Sequence, residues 1–445
     1  MVKRRGLEIP IIGVAKDPWN LDALRARVRD SLEKHGGLDP GAFDKLCGPL
    51  HYVSGDYNDP ATFQTIKREL GAARRAGALL GNSAGPLRHG DRDNSGKAGC
   101  AEAGSRVIVE KPFGTDLESA QALNRDPPRR VRRESHLPDR PLSRQSGRCT
   151  TCCSSASRTR CSEPFWNRTH VESVQITMAE DFGVQGRGAF YDQTGAIRDV
   201  IQNHLFQVLA ILAMEPPVRT DSESIRDEKV KVLKAIPPIE AKNLVRGQFR
   251  GYRKEPGVAA DSKRETFRGA PPRDRFLALA RSAILHPRGK LLPVTCTEMI
   301  VRLRKPPTMF HVADLKPNYV RMRISPDVAL AFGLNVLSPT SDVQGTRWRS
   351  PGSRYPNALA MDAYERVLTD AIAGDPTHFA RQDYVEEAWR IVDPVLKAGT
   401  PIHEYEPGTW GPKAADDAVM PHGGWQMPGH YQLKSATPPG GRGQR

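Results

Sequence analysis

The chain has 445 residues, which is long enough for two domains with a sizeable hydrophobic core. No apolar run approaches the roughly 18 residues that a membrane-spanning helix requires, and the basic start lacks the apolar stretch of a signal peptide. We therefore expect a soluble, cytoplasmic protein with no membrane partner. The formal net charge of +15 favours nucleic acid as a partner unless that charge has a local cause.

The N-terminal part of the chain has the pattern of strands and helices in alternation. Residues 8–15 form an apolar run typical of a strand, and residues 106–110 form a second one. Asn20 is a candidate N-cap, and Gly36-Gly37 a candidate helix end. Between them, apolar residues recur at steps of three and four: Leu21, Leu24, Val28 and Leu32. A strand followed by a helix in this position is typical of a nucleotide-binding α/β domain.

The sequence from Val174 onward favours an antiparallel sheet accompanied by helices. Alternation of polar and apolar residues predicts strands at residues 174–178, 228–233 and 299–303. Residues 195–214 have a helical pattern.

Three windows, residues 71–96, 126–162 and 268–289, are rich in Arg, Gly, Ser and Pro and lack periodicity. Composition alone favours flexible loops, although loops of this length are uncommon inside folded domains. The windows have net charges of +2, +6 and +4, so they hold twelve of the fifteen excess positive charges. The basic character is therefore local, and we predict no nucleic-acid partner.

The well-patterned segments contain a series of short motifs. Among them are Gly55-Asp-Tyr-Asn-Asp59, Val109-Glu-Lys-Pro-Phe-Gly114, Glu163-Pro-Phe-Trp-Asn-Arg168, Gln175-Ile-Thr-Met-Ala-Glu-Asp-Phe-Gly183 and Gly195-Ala-Ile-Arg-Asp-Val-Ile-Gln-Asn-His204. In these motifs, their order and their spacing, the chain resembles the glucose-6-phosphate dehydrogenase family, and the resemblance covers almost the whole chain.

Two features of that family are missing from the printed sequence. One is a first strand with a Gly-rich turn, which holds the cofactor pyrophosphate on backbone N–H groups at a helix N-terminus. The other is the string Arg-Ile-Asp-His-Tyr-Leu-Gly-Lys before Glu163. When residues 138–145 are written as degenerate codons and read one base later, those codons can encode the missing string. Parts of all three windows can likewise encode family-like sequence in a shifted reading frame. The chain is therefore identified as an N-terminally truncated, bacterial-type member with compensated frameshifts, either in the gene or in its sequencing.

The cysteine cluster Cys149, Cys152, Cys153 and Cys161 has the same explanation. Its spacing would otherwise suggest a zinc site. Because all four residues lie in the second window, we interpret them as Leu- and Phe-rich sequence read out of frame. We predict no metal.

The resemblance implies that His204 is the general base that takes the proton of the sugar C1 hydroxyl; an isolated helix histidine is otherwise most often a packing residue. An imidazole that titrates near neutrality suits this task. On an α-helix Asp199, five residues earlier, would lie about 140° away from His204, so we do not expect it to orient the base. In the family the orienting Asp belongs to the missing string, at codons now read as Arg140 and Pro141.

The resemblance also implies binding roles for two acids and three lysines. Glu180 and Asp199 match residues that bind sugar hydroxyls, Lys290 matches a lysine that reaches the substrate phosphate, and Lys111 matches one near both cofactor and substrate. Lys16 stands where the family has an Arg that contacts the 2′-phosphate of NADP, and it lacks the planar fork of Arg. The alternative for each is an ordinary solvated surface residue.

The fold class implied is a Rossmann-like α/β domain followed by an α+β domain with a large, mainly antiparallel sheet. We expect residues 1–162 to bind NADP, residues 163–420 to bind substrate and associate, and residues 421–445 to form an irregular tail.

The function implied is oxidation of D-glucose 6-phosphate to 6-phospho-D-glucono-1,5-lactone with NADP, the first step of the oxidative pentose phosphate pathway, in a homodimer or homotetramer. The alternative is a non-enzyme, a degenerate member of the family. The Arg- and Ser-rich windows replace core strands, which predicts sheets with gaps and a chain that aggregates or shows no measurable activity.

Overall fold

The computed structural model divides the chain into two units. Unit 1 comprises Met1–Gly114, Glu118–Ser143 and Met361–Gln382, and unit 2 comprises Thr115–Leu117, Arg144–Ala360 and Asp383–Arg445. The structure describes residues 2, 9–35, 37–56, 59–73, 77–80, 100, 105–110, 114–125, 132–137, 163–270, 283–305, 317–326, 328–337, 345–349, 363–415 and 425–428. Among these residues, no helix has the length and apolar character needed to cross a membrane. The domain boundaries expected from the sequence stay a prediction.

Unit 1 alternates parallel strands with helices. Its elements are β1 (Ile11–Ala15), α1 (Leu21–His35), α2 (Pro40–Cys47), β2 (Leu50–Ser54), α3 (Pro60–Leu70), β3 (Gly77–Leu80), β4 (Arg106–Glu110), α4 (Leu117–Arg125), β5 (Arg132–Leu137) and, from later in the chain, α8 (Ala363–Ala373). Strand β1 pairs in parallel with β2, and β4 pairs in parallel with both β3 and β5. This arrangement confirms the predicted α/β character of the N-terminal part.

Both predicted ends of the first helix are confirmed. The Asn20 side-chain oxygen accepts a hydrogen bond from the Ala23 N–H at 2.8 Å, as an N-cap does. Gly37 has a φ of +86° and donates its N–H to the Leu32 carbonyl at 2.9 Å. That left-handed conformation is one that glycine adopts without steric cost.

Unit 2 contains a nine-stranded sheet flanked by helices. Its elements are β6 (Val171–Ala179), α5 (Gly188–Ala196), a π-helix (Ile197–Leu205), α6 (Phe206–Ala213), α7 (Ser222–Lys234), β7 (Val245–Phe249), β8 (Phe267–Ala270), β9 (Ala283–Gly289), β10 (Cys296–Leu303), β11 (Tyr319–Ser325), β12 (Ala329–Leu337), β13 (Gly345–Arg349), α9 (Gln382–Lys397) and β14 (Ile402–Tyr405). The strand order is β13-β12-β11-β10-β6-β9-β8-β7-β14. Six of the eight neighbouring pairs are antiparallel, which confirms the predicted sheet.

The core of unit 2 includes the central strands of this sheet, in which consecutive residues are buried, so both faces are covered. In the central strands Met299 pairs with Ile176 and Met322, and all three side chains are buried. Every residue of helix α6 except Gln207 is buried, as expected for a helix that is apolar on nearly every side. Most of the stability of this unit therefore comes from apolar burial between the central strands and the helices.

The predicted strand at residues 228–233 is wrong, because these residues belong to helix α7. The Asp221 side chain caps that helix by accepting from the Ser224 N–H at 3.0 Å. Arg226, Val230 and Leu233 recur at steps of four and three and are buried. The alternation of polar and apolar residues that suggested a strand extends over only a few positions, whereas the helical period extends over the whole segment.

The expectation that the three unpatterned windows leave gaps in the sheets is wrong for the nine-stranded sheet of unit 2, whereas the strands of unit 1 form two separate sheets, β1–β2 and β3–β4–β5. Strand β3 lies in the first window, β5 in the second and β9 in the third. Strand β9 occupies an interior place in the nine-stranded sheet, between β6 and β8. The described part of each window therefore contributes a paired strand, β3 and β5 to the three-stranded sheet and β9 to the nine-stranded sheet.

Candidate active site

The first part of the site is a partly buried ion pair between Lys290, which follows β9, and Glu180, which follows β6. The Lys290 Nζ lies 2.5 Å from the Glu180 Oε2, and the lysine side chain is only 11% exposed. Backbone hydrogen bonds hold both residues in place: the Glu180 N–H donates to the Gly289 carbonyl at 3.2 Å, and the Lys290 N–H donates to the Thr266 carbonyl at 3.1 Å. The pair is thus fixed to the carboxyl ends of two neighbouring parallel strands.

Two aromatic rings complete the surroundings of the lysine. The Lys290 Nζ lies 4.7 Å from the centre of the Phe182 ring and 5.5 Å from that of Tyr191. Aromatic faces stabilise a cation at such distances. The glutamate and the two rings thus surround a lysine side chain that is only 11% exposed.

Tyr191 brings a third predicted residue to this place. Burial raises the pKa of Tyr191 well above its usual value, and the negative charges of Asp199 and Glu180 raise that pKa further. Both carboxylates therefore lie within electrostatic reach of one phenol. The structure thus groups Glu180, Asp199 and Lys290 around Tyr191.

Asp199 and His204 both lie on the π-helix, and His204 is 6% exposed. The chain enters this segment through Gly195, which breaks the helical conformation with φ +66° and ψ 175°. A π-helix forms hydrogen bonds between residues five apart, so residues i and i+5 stack on nearly the same side. The sequence-based statement that these two residues lie about 140° apart is therefore wrong, because it assumed α-helical geometry.

Lys16 lies in unit 1, directly after β1. Its Nζ is 2.8 Å from the Asp56 Oδ2, and its side chain is 64% exposed. The carboxyl end of a parallel strand is where α/β folds bind nucleotides. An exposed cation at that place fits the 2′-phosphate of NADP. Lys111 lies outside the described residues, as do Arg140, Pro141 and the cysteine cluster.

Sequence reasoning missed two residues of this site. Tyr191 gave no signal in the sequence, because it lies before the helical pattern at residues 195–214 and a buried tyrosine is usually a packing residue. Glu265 lies in an irregular segment, and its contacts with the π-helix come from 68 residues away along the chain. Among the described residues, no group of three or more His, Cys, Asp or Glu side chains could hold a metal ion.

Comparison with known proteins covers both units. The family model described as glucose-6-phosphate dehydrogenase, NAD binding domain, matches residues 4–135, and that of the C-terminal domain matches residues 158–426. Glucose-6-phosphate 1-dehydrogenase 1 of Mycobacterium tuberculosis is 36% identical over 433 residues, which are 95% of this chain and 90% of that protein. The cytoplasmic glucose-6-phosphate 1-dehydrogenase 6 of Arabidopsis thaliana is 33% identical over 96% of this chain and 87% of its own.

Solved structures agree with these sequence matches. The crystal structure of glucose-6-phosphate 1-dehydrogenase from Mycobacterium avium superposes with a TM-score of 0.85, at 36% identity, over 97% of this chain and 94% of its own. A glucose-6-phosphate dehydrogenase in complex with its substrate glucose 6-phosphate superposes with a TM-score of 0.80, at 27% identity, over 94% and 91%. From the two family models and relatives of this identity, it follows that the chain belongs to the glucose-6-phosphate dehydrogenase family.

Proposed function

We propose that this chain oxidises D-glucose 6-phosphate to 6-phospho-D-glucono-1,5-lactone, with NADP as the hydride acceptor. The observation that carries the proposal is the group formed by Lys290, Glu180 and Asp199 around Tyr191, beside the π-helix that holds His204. A cation, two carboxylates and an imidazole are the groups that a phosphorylated sugar and its oxidation require.

Each side chain has a task in this reaction. His204 takes the proton of the C1 hydroxyl as the hydride leaves C1, so that the carbonyl of the lactone forms. Asp199 and Glu180 accept hydrogen bonds from sugar hydroxyls and fix the ring. The Lys290 ammonium has three donors, so it can bind the substrate phosphate while it remains paired with Glu180.

The cofactor is held from unit 1, where Lys16 binds the 2′-phosphate. NADP, when bound, supplies the carbon that receives the hydride. Because Lys binds phosphate as a point charge without the bidentate geometry of Arg, we expect preference for NADP over NAD to be weaker than an Arg would give. Lys111 keeps the role implied by the resemblance, near cofactor and substrate.

We also propose that the protein acts in the cytoplasm, in the pentose phosphate pathway, as a homodimer or homotetramer that associates through the sheet of unit 2. The name of the Arabidopsis relative, which includes the word cytoplasmic, supports the first part. The mass of the protein in solution, measured by light scattering, tests the proposed homodimer or homotetramer.

The test of the activity is the formation of NADPH at 340 nm by purified, folded protein with glucose 6-phosphate and NADP. The nine-stranded sheet of unit 2 and the grouped site favour this activity over the inactive alternative. Steady turnover that needs both substrates is expected. A folded protein that forms no NADPH at saturating substrate would overturn the proposal and favour the inactive member of the family.

A further inference from the structure

The N-terminal end of the π-helix is held by one glutamate. The Ala196 N–H donates to the Glu265 backbone carbonyl at 3.0 Å, and the Ile197 N–H donates to the Glu265 side-chain Oε1 at 3.1 Å. The first N–H groups of any helix have no partner within the helix, and leaving them unpaired in a protein interior is costly. Glu265 supplies two of the missing acceptors from a neighbouring segment of unit 2.

Gly195 makes the approach of this carboxylate possible. A Cβ atom at this position would lie 2.6 Å from the Glu265 Oε1, which is closer than van der Waals contact allows. The φ of +66° at Gly195 also disfavours any residue with a side chain. The turn before the π-helix and the side chain that caps it are therefore matched to each other.

The glutamate is in turn tied to the sheet. Its side chain is only 2% exposed, and its Oε2 lies 2.9 Å from the Nη2 of Arg246 in β7. Arg246 also donates to the carbonyl oxygens of Lys263, at 2.6 Å, and Thr400, at 3.3 Å. Each oxygen of the carboxylate thus has a partner, and the group has little freedom to rotate.

We infer that Glu265 is a positioning residue for the general base: it fixes the start of the π-helix, and through that helix the place of Asp199 and His204. This inference rests on the proposed function. A π-helix has uncommon geometry and often marks a functional site. Without the carboxylate, the segment loses a buried acceptor and gains freedom to return to α-helical spacing, which would turn His204 relative to Asp199.

The experiment compares E265A and E265Q with the parent and with E298A and E298Q. Glu298 is a matched control because it is also buried in the sheet, and it also pairs with arginines, Arg321 at 3.3 Å and Arg323 at 3.4 Å. It alternates along β10 with Met299, which faces the core, so Glu298 lies on the other face of the sheet. Both alanine variants should lower the melting temperature.

Only the Glu265 variants should change the chemistry. We expect E265A to lower kcat per folded protein by at least about tenfold, since small misplacements of reacting groups are costly, while KM for NADP stays within about twofold. E265Q keeps an oxygen that can accept from the Ile197 N–H, so it should retain more of kcat than E265A. E298A and E298Q should keep the parent kcat.

A second readout does not depend on turnover. The ring protons of His204 can be assigned in NMR spectra of histidine-labelled protein by comparison with His204→Asn, and their titration gives the pKa of His204. We expect E265A to shift that pKa and the ring resonances, and E298A to leave both in place. If the parent forms no NADPH, the proposed function fails, and this titration still tests Glu265.

Two results would overturn the inference. One is an E265A protein that folds and has the kcat and the His204 titration of the parent. The other is an equal loss of kcat in E265A and E298A, which would show a general effect of stability. If E265A does not fold, the same comparison of kcat and His204 titration is made between E265Q and E298Q.

Discussion

Replacement of Arg268 by Met should stabilise unit 2. Arg268 lies in β8 with a side chain that is 2% exposed, and none of its three guanidinium nitrogens has a hydrogen-bond partner among the residues that the structure describes. Burial lowers the pKa of Arg268 to about 10, although the charge of Glu265 opposes this change. At neutral pH the folded protein therefore holds a guanidinium charge that burial disfavours.

The size of the effect follows from that pKa. A fall to about 10 from the ordinary value of Arg disfavours the charged form by roughly 3 kcal/mol. Buried charges replaced by apolar residues of similar size often give gains of about 1–4 kcal/mol, and the flexible Met side chain can occupy the same elongated space. We expect a gain of about 1–3 kcal/mol, or about 2–4 °C per kcal/mol in the melting temperature.

The dependence on pH has a definite sign. Above pH 10 the folded protein releases the Arg268 proton before the unfolded chain does, so the unfolded state holds more protons and the stability rises with pH. The destabilisation caused by the buried Arg268 charge is fully present below pH 10 and decreases above it. The advantage of Arg268→Met over the parent should therefore be constant near neutrality and shrink in alkali.

Arg246 provides the control, because it lies directly opposite Arg268 in the β7–β8 ladder. Its guanidinium pairs with Glu265 at 2.9 Å, so Arg246→Met leaves a buried carboxylate without this partner. The loss of one partner of a buried pair costs about 3–5 kcal/mol. Calorimetry and urea unfolding of the two variants should give changes of opposite sign. A loss of stability in Arg268→Met would refute the reasoning.

Three further variants or measurements follow from the site. His204→Asn removes the proton acceptor, so kcat should fall by a factor of at least about 10², while calorimetry should still show binding of glucose 6-phosphate. A variant with the parent kcat would show that another residue is the base. Lys290→Met removes the cation beside Glu180, so KM for glucose 6-phosphate should rise by at least about tenfold, whereas KM for NADP should not change. Equal changes in both KM values would argue that Lys290 does not bind the substrate phosphate. Sequencing of the locus should show, near codons 78, 126 and 267, single-base changes of frame that restore family sequence; stop codons in those frames would exclude this explanation.

Local signals in the sequence predicted local structure well. The Asn20 cap, the end of α1 at Gly37 and the strand Arg106–Glu110 are confirmed with the bounds expected or nearly so. Each depends on residues that are close along the chain, so a short stretch of sequence contains the information. The family motifs extended this to the site, since they indicated Glu180, Asp199 and Lys290 before any contact between them was known.

Features that depend on distant contacts were not predictable in this way. The π-helix has a sequence that fits an α-helix equally well, and its register is set by the contact of Ile197 with Glu265. The residues of α7 alternate over a few positions as a strand would, and only the cap at Asp221 and the longer period distinguish the helix. Fold and motifs could thus be predicted, whereas the geometry of the base could not.

The three unpatterned windows connect the sequence with the stability of the fold. Strand β6 is buried on both faces, and strands in such a sheet normally consist of apolar residues, yet its neighbour β9 lies within an Arg-rich window. Residues 284–289, read one base later, permit Phe-Tyr-Ile-Arg-Ala-Gly, which suits an interior strand. Arg268 is the first residue of the same window, and it is the one whose buried charge has no hydrogen-bond partner in the described part of the chain. If the locus encodes this window in a single frame and Arg268→Met lowers the stability, the arginine is an evolved part of the sheet. If the reading frame changes within the window and Arg268→Met raises the stability, position 268 is an apolar position of the fold that holds a charged residue in the printed sequence.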